Sequence, residues 1–234
     1  MRFYTIDPQT GQTSDSHWQW QGGNVLADGA SASDGPGGFA SVLEPGRKTI
    51  MWSGWLGDWD AEAGGMPEFA TWTKAGWDQL WAWCESVADG LRTSGGEVCL
   101  LAHARHTVAD PQACLIFLRG AAERGWEGLF GIALEPAAML TGDMLSRTPE
   151  HIERVVEAVS PVSRVAIAAG ARLDDQGGPL RCPLAESQID AGAIIRAVLA
   201  AEQGGAELLS WPDTGEADGA ALHSALHSAK TAAD

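Results

Sequence analysis

Short unbroken apolar runs recur along this chain, each ended by a Gly, Pro or charged cluster and separated from the next by room for about one helix. The clearest is Val98 to Ala102, set between Gly95-Gly96 and the polar group His103, Arg105, His106, with Asp110-Pro111 behind it. Similar runs are Thr49 to Trp52, Leu129 to Leu134, Arg164 to Ala169 and Glu207 to Trp211. A strand that is apolar at every position is buried on both faces, which is the condition of a parallel sheet covered by helices. The intervening segments supply those helices. Phe69 to Arg92 repeats Trp72, Leu80, Trp81, Cys84, Val87 and Leu91 near helical spacing and stops at Ser94-Gly95-Gly96. Asp110-Pro111 opens a second helix, Thr148-Pro149-Glu150 a third through Val159, and Asp190 a fourth bearing Ile194, Ile195, Val198 and Leu199. An Ala-rich fifth covers about Gly219 to Thr231. Five strands alternating with five helices predict an α/β fold of parallel (β/α) repeats over residues 47–234.

Residues 1–46 read differently. Arg2 to Asp7 and His17 to Gln21 alternate on either side of the turn signal Pro8-Gln9-Thr10-Gly11, which predicts an N-terminal β-hairpin, followed by Gly- and Ser-rich loop packed on the repeats. The stretch from Leu173 to Gln188 reads as a long polar loop.

With Lys+Arg 15 against Asp+Glu 31, the net charge of −16 repels nucleic acid and anionic membrane, and neither is expected as a partner. No run of about 18 apolar residues and no signal-peptide core stands in the sequence, so a cytoplasmic location is the expectation. Cys84, Cys99, Cys114 and Cys182 lack CxxC spacing and read as buried thiols. Phosphate-loop, GxGxxG and GxSxG motifs are absent, and no cofactor is expected. His223 and His227 stand one helical turn apart without an evident third ligand, a solvated pair rather than a metal site.

The order of motifs resembles the sugar phosphate isomerase/epimerase family, the xylose isomerase-like TIM barrels. The resemblance covers about residues 47–213 and rests on Leu100-Leu101-Ala102-His103-Ala104-Arg105, Leu134-Glu135-Pro136-Ala137-Ala138, Ile167-Ala168-Ala169-Gly170-Ala171-Arg172, and above all the loop Pro183-Leu184-Ala185-Glu186-Ser187-Gln188-Ile189-Asp190. It implies a barrel and, in the family, a divalent metal held by carboxylates and histidines at strand ends. At the matching positions this chain carries His103, Glu135, Ala138, Ala169 and Trp211, of which Glu135 alone is a carboxylate. A hard cation wants several converging oxygen or imidazole ligands. The expectation is therefore a divergent member that has lost metal-dependent catalysis and serves in ligand binding or assembly, with a bound divalent metal as the alternative to test. Length points the same way: a closed eight-stranded barrel takes about 250 residues, and an incomplete or modified barrel is expected.

Functional groups of parallel α/β folds collect at the C-terminal ends of strands. The candidates there are His103, His106 and Glu135 for proton transfer, with Trp52, Trp55, Arg105, Arg172 and Asp213 for holding a small carbohydrate or anionic ligand. Asp174 and Asp175 lie nearby. Two rivals stand beside the binding reading: an isomerase, epimerase or lyase using His103 or His106 as base, and a self-associating module whose Trp-rich N-terminal half meets its counterpart in a homo-oligomer. In a site without chemistry the polar ends would pair with one another, as Arg105 with Glu135.

Overall fold

The computed structural model describes residues 3–5, 18–20, 25–26, 44–57, 67–175, 179–210 and 228. Seven parallel strands form one sheet: β1 (Phe3–Thr5), β2 (Trp18–Trp20), β3 (Lys48–Trp52), β4 (Glu97–Leu101), β5 (Phe130–Leu134), β6 (Val165–Ala168) and, after a separate ribbon, β9 (Glu207–Ser210). Their order across the sheet is β1-β9-β6-β5-β4-β3-β2. The ribbon pairs β7 (Gly170–Leu173) with β8 (Pro179–Cys182) antiparallel. The helices are α1 (Lys74–Ser94), α2 (Pro111–Glu123), α3 (Thr148–Ala158) and α4 (Ala191–Gln203).

The alternating α/β repeat is as expected, with two corrections to its extent. The N-terminal strands do not form a hairpin. β1 pairs parallel with β9 and β2 parallel with β3, so they occupy opposite edges of the sheet. The local alternation identified the strands, but the partners were chosen by the two open edges of a parallel sheet, which need covering. Residues 173–188 are not one polar loop either, because Leu173 ends β7 and β8 takes up Pro179–Cys182. Of the expected helix over 219–231 only Ser228 is described, and it is helical; His223 and His227 lie outside the described residues, as do Trp59, Trp211 and Asp213.

Both faces of the central strands are apolar, for two different reasons. Met51, Val98, Leu100, Ile132, Leu134 and Leu208 pack under the helices, where α1 presents Leu80, Cys84, Val87 and Leu91 along one stripe. The alternate residues Ile50, Cys99, Leu101, Ala133, Val165, Ile167 and Leu209 join Trp18 in a second, inner core. That inner core exists because the sheet curls. Lys48 Nζ at the start of β3 lies 3.5 Å from Glu207 Oε1 at the start of β9, although β4, β5 and β6 intervene. In a flat sheet those strands would stand about 19 Å apart, four spacings of ~4.8 Å. Among the described residues no ladder joins β1 to β2, and the curled parallel sheet is a partial barrel.

Helix ends carry much of the local specification. Asp110 accepts the Ala113 N–H at 2.8 Å, and Asp190 accepts those of Gly192 and Ala193, each at the N-cap. Thr148, expected as a cap, is instead the first helical residue, and Arg147 at the cap makes no side-chain bond there. Gly95 ends α1 in the left-handed region, with φ 69°. No helix among the described residues is long and apolar enough to cross a membrane.

One glycine of α1 anchors the loop that will carry part of the site. A Cβ on Gly76 would lie 2.1 Å from the Thr71 carbonyl oxygen, and Thr71 Oγ1 accepts the Leu56 N–H at 2.9 Å, next to Trp55. Alanine normally favours a helix over glycine by about 1 kcal/mol. Here the backbone overlap wins, and Gly76→Ala is expected to destabilise by about 1–3 kcal/mol, measured by urea unfolding. A gain in stability would mean that the close approach of Thr71 relaxes freely.

Candidate functional site

The C-terminal ends of β3, β4 and β5 and the ribbon above them enclose a cavity of about 190 Å³. Its walls include Trp52, Trp55, His103, Arg105, His106 and Glu135, six of the eight residues expected from the sequence. Arg172 does not join them, because its place on β7 leaves it exposed. The cavity also takes in Asp174 and Arg181. A larger, more open groove of about 560 Å³ runs along the helix layer between α2 and α3, past Leu115, Met139, Met144 and His151. The smaller cavity is the better candidate, since buried charged and aromatic side chains converge there.

Backbone bonds hold the tight turn after β4. The His103 N–H donates to the Val108 carbonyl at 3.1 Å and the His106 N–H to the His103 carbonyl at 2.9 Å. The Thr107 N–H donates to Gly54 at 2.9 Å and the Val108 N–H to Ser53 Oγ at 3.1 Å, stitching this turn to the loop after β3. Gly54, with φ 80°, makes the reversal that sets Trp55 beside Trp52. These bonds gather three rings around His106. Its ring centroid is 4.7 Å from Trp52, edge-on, 5.1 Å from Trp55 and 4.6 Å from His103.

The two histidines are held in different ways. His106 is 1% exposed, and burial first, then the neighbouring His103, holds its pKa well below the usual 6.5. It is neutral near pH 7. His103 Nδ1 accepts the Arg105 backbone N–H at 3.1 Å. That nitrogen is therefore unprotonated, and the ring carries its proton on Nε2 as a donor rather than a base.

Two ion pairs cross the cavity. Arg105 donates through Nη1 and Nη2 to the two oxygens of Asp174, at 2.6 and 3.0 Å. Arg181 grips Glu135 with Nε at 3.0 and 3.2 Å and Nη2 at 2.5 Å, while its guanidinium carbon sits 5.7 Å from the Trp52 ring centre. Where the sequence suggested Arg105 with Glu135, the ion pairs found are Arg105 with Asp174 and Glu135 with Arg181. Arg105 and Glu135 each meet a partner from the ribbon, whose place above the strand ends could not be anticipated from a loop. A signal was present: Ala171-Arg172-Leu173 and Pro179-Leu180-Arg181-Cys182 flank Gly177-Gly178, a hairpin pattern.

No protein-family model matches the chain, and no curated protein does. Among solved structures it is similar to a D-tagatose 3-epimerase-like protein, with 12% identity over 77% of this chain and 61% of that one and a TM-score of 0.50. It is similar also to a xylose isomerase domain protein from Planctomyces limnophilus, at 13% identity, 77% and 58% coverage and a TM-score of 0.49. A third is a xylose isomerase-like TIM barrel protein from Mycobacterium smegmatis in complex with magnesium, at 13% identity, 76% and 62% coverage and a TM-score of 0.46. The likeness to the first is one of fold, a TIM barrel. The chain spans about three-fifths of the length of these proteins.

Proposed function

We propose that this chain is a divergent barrel of the sugar phosphate isomerase/epimerase type whose strand-end cavity binds a small, neutral, hydroxylated molecule without a divalent metal. The observation that carries the reading is the grip of Arg181 on Glu135. Glu135 is the one carboxylate standing where the resembling family holds its cation, and both its oxygens already accept from a guanidinium. A divalent ion there would have to displace that partner and then sit beside its positive charge. Among the described residues no three His, Cys, Asp or Glu side chains are disposed to hold a metal. The residues present do not fit such an ion.

The same bookkeeping of charge favours a neutral ligand. Two cations and two anions face the cavity, each matched bidentately to its opposite, and His106 adds no charge. A phosphate or carboxylate would find no guanidinium to spare without breaking a pair. A hydroxylated molecule needs no unmatched charge, and the aromatic lining supplied by Trp52 and Trp55 suits the apolar side of a sugar ring. At about 190 Å³ the cavity is smaller than the ~300–1,000 Å³ of drug-sized sites, so the ligand is small.

A thermal-shift and calorimetric screen against neutral sugars and polyols, sugar phosphates, and Mg²⁺ or Mn²⁺ with and without chelator tests the reading. A neutral sugar is expected to raise the melting temperature, and the divalent ions to leave it unchanged. A chelator-reversible rise with metal would overturn the metal-free assignment, and stabilisation by phosphates alone would overturn the ligand class.

A further inference from the structure

We infer that the β7–β8 ribbon is a lid on this cavity, latched by the Arg105–Asp174 and Glu135–Arg181 pairs, and that ligand enters when it lifts. The inference rests on the cavity being a ligand site and adds how access to it is controlled.

The charges are divided between two bodies. The barrel rim supplies a cation, Arg105 after β4, and an anion, Glu135 after β5. The ribbon supplies the complements, Asp174 just beyond β7 and Arg181 within β8. Because the two pairs run in opposite senses, a ribbon docked the other way round would face Asp174 with Glu135 and Arg181 with Arg105. The latches therefore select one closed position as well as holding it.

Burial falls off along the ribbon. Arg172 and Leu180 are exposed, whereas Ala171 and Cys182 at its root are buried. Further tethers run to the segment that follows the ribbon: the Gln188 N–H donates to the Ala171 carbonyl at 2.9 Å, the Ala171 N–H to Ser187 Oγ at 3.2 Å and, at the outer end of β7, the Leu173 N–H to Gln188 Oε1 at 2.9 Å. At the very base, a Cβ on Gly170 would lie 2.6 Å from the Pro183 carbonyl oxygen and 2.8 Å from Ser187 Cβ. Glycine lets the two legs of the ribbon approach there, which makes a narrow pivot. A segment with a buried root, exposed positions beyond it and two ionic latches belongs to the low-stability end of local opening.

Cys182 is a built-in reporter. It is 6% exposed at the ribbon root, while Cys84, Cys99 and Cys114 are 0% exposed in the barrel cores. Thiol labelling of the full chain, resolved by mass spectrometry at fixed pH and without ligand, follows all four. Asp174→Asn, which weakens one latch, is expected to speed labelling of Cys182 by about tenfold or more and leave the other three unchanged. Asp175→Asn, the same change at the exposed neighbouring carboxylate, is expected to leave Cys182 labelling unchanged. An unmoved Cys182, or four thiols accelerating together, would overturn the lid. Hydrogen exchange of the unaltered protein gives an independent reading: ribbon amides should exchange through smaller openings than those of β4 and β5, and equal protection would count against the proposal. A labelling result as expected without sugar binding would leave the lid standing and remove the ligand assignment. Sugar binding with an unmoved Cys182 would do the reverse.

Discussion

Arg181→Met is expected to lower the unfolding free energy by about 3 kcal/mol, the largest effect of any single substitution at the site. Glu135 is 3% exposed, and its two oxygens accept three bonds from this one guanidinium. Removing the cation leaves a buried carboxylate with no charge to balance it, and breaking such a pair costs about 3–5 kcal/mol. The lower figure applies because the Arg181 side chain keeps 18% exposure. For a domain of this size that is a fall in melting temperature of roughly 6–12 °C, at about 2–4 °C per kcal/mol. Glu135→Leu combined with Arg181→Met is expected to recover most of the loss, since replacing both members of a buried pair by apolar groups is often neutral. Urea unfolding of the two single variants and the double one closes the cycle. Additive losses would mean that the two side chains do not act as a pair.

The same Arg181 marks the limit of what the sequence could convey. Strands β3 to β6 and β9 were legible because each is an unbroken apolar run, and burial on both faces permits little else. Their inner and outer faces were not. Leu100 and Leu101 look alike in sequence, yet one packs under the helices and the other inside the curled sheet. The candidate residues on the rim were singled out by a positional rule, that strand ends collect functional groups, and Trp52, Trp55, His103, Arg105, His106 and Glu135 line one cavity. It could not find Arg181, which reaches the cavity from the antiparallel ribbon above. Nor could it tell that Arg172 on that ribbon is exposed. Partner choice failed in the same way at the N-terminus, where β1 and β2 were recognisable as strands but their places on opposite edges depend on strands that lie far along the chain.

Stability is expected to fall with acid below pH 6.5, with His106 setting the slope. An unfolded histidine titrates near 6.5, and His106 in the fold stays neutral to well below that value because burial and His103 oppose its charge. Between the two values the unfolded chain holds the extra proton, so unfolding becomes easier as pH drops, by at most about 1.4 kcal/mol per unit. Above 6.5 both states are neutral at this residue and its effect disappears. Glu97 acts in the opposite sense. Burial raises its pKa above 4.5 despite Arg164 and Lys48 nearby, so between 4.5 and its raised value the folded state holds the extra proton, and acid favours the fold. The raw pH profile sums the two, and the contribution of His106 is the difference between the wild type and His106→Phe. The variant is expected to have the shallower slope between pH 6.5 and 5, in urea unfolding followed across that range. Parallel profiles would mean that His106 accepts a proton inside the fold as readily as outside it. The ring cluster would then be cationic in mild acid, the matched charges of the cavity would carry a positive excess, and an anionic ligand would displace the neutral one as the better fit.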